Sequence, residues 1–224
     1  MWWAGAAFAT EFGVVEVRHH DPGAGVLLPT VVLIHGYGST PEDIVHVYDG
    51  YPGPLRVLAL RGPAPIGDGY TWYDLPGRPE VFPGDRETEF RQRALELGGF
   101  LEALAAKEPL AAPPVIAGFS QGGMTAFLVA ARAPELVSGA IPMGGNLPVT
   151  LVPAALAPAV PVRALHGATD LRVPVATAQE TVAAFVARGG DATLETFPDV
   201  GHTISPEMRA RLWTLTATLT GPTP

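Results

Sequence analysis

The chain contains no cysteine, which removes disulfides, thiolate metal sites and a cysteine nucleophile together. Lysine is scarce as well: Lys107 stands alone, and Asp and Glu outnumber Lys and Arg by 22 to 14. The formal net charge of −8 argues against a nucleic-acid partner, because phosphate binding relies on clustered cations. No uninterrupted apolar run reaches the roughly 18 residues that would suggest a membrane span. The amino terminus, Met1-Trp2-Trp3-Ala4-Gly5-Ala6-Ala7-Phe8, lacks the basic residue that opens an export signal and meets Glu11 too soon. It reads as an edge strand or packed arm, and the expected setting is cytoplasmic.

What is present describes a globular protein. At 224 residues, 47% hydrophobic and 16% charged, the chain suits one sizeable domain, 1–224, with a core that needs no staples. No repeat or low-complexity linker divides it. Short β-branched runs alternate with longer helical patterns, which marks an α/β sheet. Val14 to Arg18 alternates like a half-exposed strand, whereas Thr30 to Ile34 is apolar throughout after its threonine, as in a strand buried on both faces. Leu55–Leu60, Pro114–Ala117, Ser138–Met143, Pro161–Leu165 and Ala192–Phe197 read as further strands. Helices are expected over Asp85–Ala106, Gln121–Ala133, Val175–Arg188 and Pro206–Leu219. The proline-rich stretch from Leu147 to Pro161 is too short for a cap domain, so an open site is expected.

Gly118-Phe119-Ser120-Gln121-Gly122 has the form Gly-x-Ser-x-Gly between an apolar strand and an Ala-rich helix. That context is what a nucleophile elbow requires, with the serine at a sharp turn and at the amino end of a helix. Its bland alternative is a tight turn whose serine caps the helix. A serine hydroxyl also needs a base, and the base needs an orienting acid. Only His166 and His202 follow Ser120. His202 lies in a loop after the last strand, where it could meet Ser120; His166, at the end of its own strand, reads as structural. Asp170, in the loop after that strand, is the candidate acid. Asp199 competes but has a turn-forming role available beside Pro198, and Asp191 and Asp74 have less in their favour. Backbone N–H groups of Tyr37, in His35-Gly36-Tyr37-Gly38, and of Gln121 are the candidate oxyanion donors. His35 reads as a brace for that loop and not as a metal ligand, since no second ligand stands at suitable spacing.

With these residues in place, the sequence resembles the phospholipase/carboxylesterase family, which includes acyl-protein thioesterases and small bacterial carboxylesterases. His35-Gly36-Tyr37-Gly38, Gly118-Phe119-Ser120-Gln121-Gly122-Gly123, His166-Gly167-x-x-Asp170 with Val173-Pro174-Val175, and Gly201-His202 match in order. Arg61-Gly62-Pro63-Ala64-Pro65 leading to Trp72-Tyr73-Asp74 is similar to that family's proline-rich run and aromatic signature. Met143 to Pro148 matches only loosely, and Tyr37 stands where a smaller or aliphatic residue is common. The resemblance implies a single-domain α/β-hydrolase fold, a mostly parallel central sheet with helices on both faces and no large lid. It also implies hydrolysis of carboxylic esters, lysophospholipids or acyl thioesters. Trp72, Tyr73, Met143 and Leu147 are the candidate acyl-site residues, with Phe119 and Met124 beside them; core packing is the equal alternative for Trp72 and the favoured reading for the two methionines. The expected reaction is short- to medium-chain ester hydrolysis with no metal or organic cofactor. The expected partner is a small-molecule ester, with a homodimer left open; a catalytically silent binding protein is the alternative from another class.

Overall fold

The computed structural model describes residues 12–23, 25–75, 82, 85–156 and 158–221. The amino-terminal arm expected over Met1 to Phe8 lies outside the described residues. Strands β1 (Val14–His19), β2 (Thr30–Ile34) and β3 (Leu55–Leu60) open the fold, with the short helix α1 (Pro41–Val45) between the last two. A small hairpin, β4 (Ala64–Ile66) and β5 (Gly69–Thr71), precedes the long helix α2 (Arg86–Lys107). The remainder alternates: β6 (Val115–Phe119), α3 (Gln121–Arg132), β7 (Gly139–Met143), β8 (Val162–Gly167), α4 (Val175–Ala187), β9 (Ala192–Phe197) and α5 (Pro206–Thr220).

Seven strands form one sheet in the order β1-β3-β2-β6-β7-β8-β9. Only β1 runs antiparallel to its neighbour. Its alternating exposure is that of an edge strand with one wetted face. The inner strands are sealed. Every residue of β2 is buried, and its side chains alternate between two apolar layers. Val32 and Ile34 pack with Leu97, Phe127 and Phe185, from α2, α3 and α4. Val31 and Leu33 pack with Ile44 of α1 and with Met208 and Leu212 of α5. The period of two in a strand thus fills both helix layers from one continuous apolar run. Truncating Phe127 to alanine in such a layer costs about 3–5 kcal/mol.

Helix starts follow local chemistry. Asp85 accepts from the Thr88 N–H, and Ser205 accepts from the Met208 N–H with Pro206 in the first turn, the arrangement expected of N-caps. The segment after β7 packs its apolar side chains into the core. Leu147, Leu151, Val152 and Leu156 are buried. Arg132 donates to the Leu151 carbonyl, and Arg188 donates to those of Val149 and Val152. Among the described residues, no helix is long and apolar enough to cross a membrane. The architecture is that of an α/β hydrolase, without a large lid among the described residues. The parallel strands β2, β6, β8 and β9 all point their carboxyl ends toward one rim, where this class of sheet places its ligands.

Candidate active site

Ser120 stands between β6 and α3 with φ 57° and ψ −115°, a conformation that costs a non-glycine residue about 1–3 kcal/mol. The turn closes because Gly122 passes directly over the end of β2. A Cβ there would stand 3.0 Å from the His35 carbonyl oxygen and closer still to that of Ile34. The Ser120 N–H donates to the Met143 carbonyl at 2.8 Å, and the Met124 N–H donates to the Ser120 carbonyl at 3.0 Å. The Ser120 side chain does not cap α3. Its hydroxyl instead lies 2.9 Å from Nε2 of His202.

His202 sits in the loop between β9 and α5, and its Nδ1 lies 2.6 Å from Oδ2 of Asp170. A carboxylate can only accept, so Nδ1 carries the proton and Nε2 is left to accept from Ser120. Asp170 lies in the loop between β8 and α4 and is 4% exposed. Its Oδ1 accepts from the Arg172 and Val173 amides at 2.9 Å each. Burial pushes this carboxyl up. The His202 hydrogen bond and the Val173 and Arg172 amides outweigh burial and hold it below its ordinary value of 3.8. The loops bearing the two residues are joined by their backbones: Ala168 N–H donates to Phe197 O, and Thr169 N–H donates to Val200 O.

The competing acids lie elsewhere. Asp199 is exposed at the turn after β9 with φ 59°, Asp191 pairs with Arg163, and Asp74 accepts from the Phe82 N–H. His166 is buried; its Nε2 donates to the Val173 carbonyl at 2.8 Å and lies 3.5 Å from Oδ2 of Asp170. It therefore braces the loop that bears Asp170.

The loop after β2 runs beside Ser120, since a Cβ on Gly36 would lie 3.3 Å from Ser120 Cβ. His35 accepts the Gly62 N–H at Nε2 and donates from Nδ1 to the Gly36 carbonyl. Burial lowers its pKa, which favours this neutral, doubly engaged form. Gly38 and Ser39 spend their amides on Tyr70 O and Gly36 O. Among the described residues, the amides of Tyr37 and of Gln121 take no acceptor. The second is one of the orphan donors that open any helix.

The four candidate acyl-site residues are packed in the two apolar layers. Trp72, Tyr73 and Met143 are each 0% exposed and Leu147 is 1% exposed. They do not share a face, either: Trp72, Tyr73 and Leu147 belong to the layer under α2, α3 and α4, and Met143 to the opposite one. Trp72 packs on Phe12 and Tyr73 stacks on Phe90. A motif of two bulky aromatics fits a core as well as a pocket, and here the core takes them. Two features escaped sequence reasoning. The Phe119 ring lies 4.8 Å from the His202 imidazole, centroid to centroid, a contact that no spacing along the chain announces. The Gln121 side chain is buried and bonds to the Thr71–Tyr73 segment, although its place inside the elbow motif was visible. Among the described residues, no group of three or more His, Asp or Glu is arranged to hold a metal ion.

A family model for the phospholipase/carboxylesterase family matches residues 24–219, which takes in the turn at Ser120, the loops bearing Asp170 and His202, and the loop at Tyr37. The chain belongs to the phospholipase/carboxylesterase family. As a member it is a carboxylic ester hydrolase by class. Among curated proteins it is 26% identical over 204 residues to Esterase YpfH of Escherichia coli (strain K12), covering 84% of this chain and 80% of that one. Among solved structures, esterase PE8 superposes with a TM-score of 0.78 at 25% identity, covering 93% of this chain and 99% of that one. The Zea mays acyl-protein thioesterase 2 reaches 0.69 at 19% identity, covering 93% of this chain and 99% of that one. At that identity the maize protein attests the fold alone.

Proposed function

We propose that this family member is a serine carboxylesterase that hydrolyses short- to medium-chain carboxylic esters through Ser120, His202 and Asp170. The observation that carries the reading is the continuous hydrogen-bonded chain from Ser120 Oγ through the imidazole to Asp170 Oδ2, 2.9 Å and 2.6 Å long in its two steps. Ser120 Oγ attacks the ester carbonyl carbon while His202 Nε2 takes its proton. The oxyanion collapses, the bond to the leaving alcohol breaks, and the imidazolium returns the proton to that alcohol. Water then repeats the sequence on the acyl-serine and frees the acid. Asp170 holds the tautomer and balances the charge on the imidazolium. The Tyr37 and Gln121 amides face the developing oxyanion, each contributing about 2.7–4 kcal/mol.

The chain-length part of the reading is supported by the burial of Trp72, Tyr73, Met143 and Leu147, which leaves those side chains unavailable as an open acyl wall. It is supported also by the segment after β7, held down by Arg132 and Arg188. Two measurements test it. A fluorophosphonate probe should label the wild type and not Ser120→Ala; labelling retained in that variant would move the nucleophile elsewhere. A series of p-nitrophenyl esters, run beside acyl thioesters and lysophospholipid, should peak at chains of about eight carbons or fewer, the length a shallow site accommodates. A peak at longer chains or on thioesters would instead make the protein a long-chain thioesterase or lysophospholipase.

A further inference from the structure

Trp72-Tyr73 is the sequence motif left without a role once its rings are placed in the core, yet its backbone is tied to the nucleophile turn. The Gln121 side chain is 5% exposed. Its Oε1 accepts from the Trp72 N–H at 2.9 Å, and its Nε2 donates to the Tyr73 carbonyl at 2.8 Å. A side-chain amide thus satisfies one donor and one acceptor of this segment at once. The pairing meets a need, since Trp72 and Tyr73 follow the end of β5 and buried backbone groups beyond a strand require partners. The Thr71 hydroxyl stands 3.0 Å from the same Oε1 and 2.7 Å from the Tyr73 carbonyl, and its single proton serves one at a time. Farther along the turn, Thr125 donates to the Gln121 carbonyl and meets the Tyr73 hydroxyl at 3.0 Å.

The same stretch of chain grips the other oxyanion donor's loop. Tyr70 accepts from the Gly38 N–H at 2.9 Å and donates to the Ser39 carbonyl at 3.0 Å. Residues 70–73 therefore bond on one side to the loop that carries the Tyr37 amide, and on the other to the side chain of the residue that carries the Gln121 amide. We propose that the Tyr70–Tyr73 backbone is a strut that sets the spacing of the two oxyanion donors, and that the Gln121 side chain is the positioning residue coupling it to the nucleophile turn. This rests on the serine-esterase reading above. Gln121 is then used twice: its backbone N–H meets the oxyanion, and its side chain holds that N–H in place. Displacing a donor by a fraction of an ångström weakens a contact made only in the transition state, so turnover falls while substrate binding stays.

The test replaces the side chain and leaves the peptide. Gln121→Met removes both bonds at similar volume, and Gln121→Glu keeps the shape but sets a carboxylate oxygen against the Tyr73 carbonyl. Tyr48→Phe, which removes a buried hydrogen bond to Thr216 beneath the opposite face of the sheet, controls for general loss of stability. Each variant is assayed for kcat and KM on a short p-nitrophenyl ester, and for inhibition by an aryl trifluoromethyl ketone, which forms a tetrahedral oxyanion on serine. In both Gln121 variants kcat should fall roughly 10- to 100-fold, less than the loss of a whole donor, with KM changed less than about threefold. The inhibition constant should rise by the same factor as kcat/KM falls, while Tyr48→Phe leaves both unchanged. A raised KM with kcat intact would overturn the proposal, as would an unchanged inhibition constant. Failure of both Gln121 variants to fold while Tyr48→Phe folds would also overturn it, making Gln121 a folding determinant only. Ser120→Ala run in parallel separates the two levels. If it keeps turnover, the esterase reading itself fails; if it loses turnover and the Gln121 variants do not, the strut alone falls.

Discussion

The two halves of the site are held by different means. The nucleophile half rests on the central strands β2 and β6, and its geometry is made by backbone: a strained φ at Ser120, a glycine pressed on the Ile34 carbonyl, and two unpartnered amides. The acid–base half rests on β8 and β9 toward the sheet's edge. It is made largely by side chains, Asp170 reaching His202 on the next loop and His166 at the end of β8 reaching the Val173 carbonyl. A backbone device fails when an atom is added to it, whereas a side-chain device fails when its hydrogen-bonding character changes. Atoms added to the backbone device of the first half should therefore act through the fold, and changes of hydrogen-bonding character, in either half, through turnover.

The sharpest break of that comparison is Asp170→Asn. The amide keeps the shape but can hold the imidazole in the wrong tautomer, so kcat should fall about 10⁴-fold, near 5.5 kcal/mol, with folding retained. Steady-state kinetics beside a thermal melt would show it; a melt that collapses with activity would erase the contrast. The same variant has a pH signature. Because the folded Asp170 carboxyl sits below its ordinary 3.8, its stabilisation is present above that value and lost as pH falls through the folded value. Wild-type stability should thus drop below about pH 4, and part of that drop should vanish in Asp170→Asn when urea midpoints are compared across pH.

Next in size is Gly122→Ala. A methyl group driven against the Ile34 carbonyl should cost about 3 kcal/mol or more, read as a lowered urea midpoint. A variant as stable as wild type would mean that the turn yields. Ser120→Gly should go the other way, gaining about 1–3 kcal/mol over Ser120→Ala because glycine accepts the positive φ without strain. Equal melting temperatures for the two would show that the serine conformation stores little. The smallest effect is expected at Tyr37→Phe. Its side chain is 39% exposed and only its peptide is assigned a task, so kcat should stay within about threefold, as for other exposed side chains away from the chemistry. A larger loss would give the phenol a role of its own.

The sequence by itself determined the layered α/β architecture. Runs such as Thr30–Ile34 and Leu55–Leu60 can be buried on both faces only in a parallel sheet covered twice, and their observed bounds coincide with the expected ones. Chain order also singled out Ser120, Asp170 and His202, because turns, strand ends and glycines leave local marks; the fold brings those three within hydrogen-bond distance. The short elements α1, β4 and β5 left too little periodicity to read. What tertiary structure decided was the use of each bulky or amphipathic side chain. Trp72 and Tyr73 suit a pocket and a core equally by composition, and the packing of Phe12 and Phe90 against them is visible only in the fold. The Gln121 side-chain bonds to Trp72 and Tyr73, and the Phe119 ring against His202, rest on contacts between residues far apart in the chain or on separate loops. Such contacts exist only once the sheet has brought its strand ends to one rim, and no local pattern encodes them.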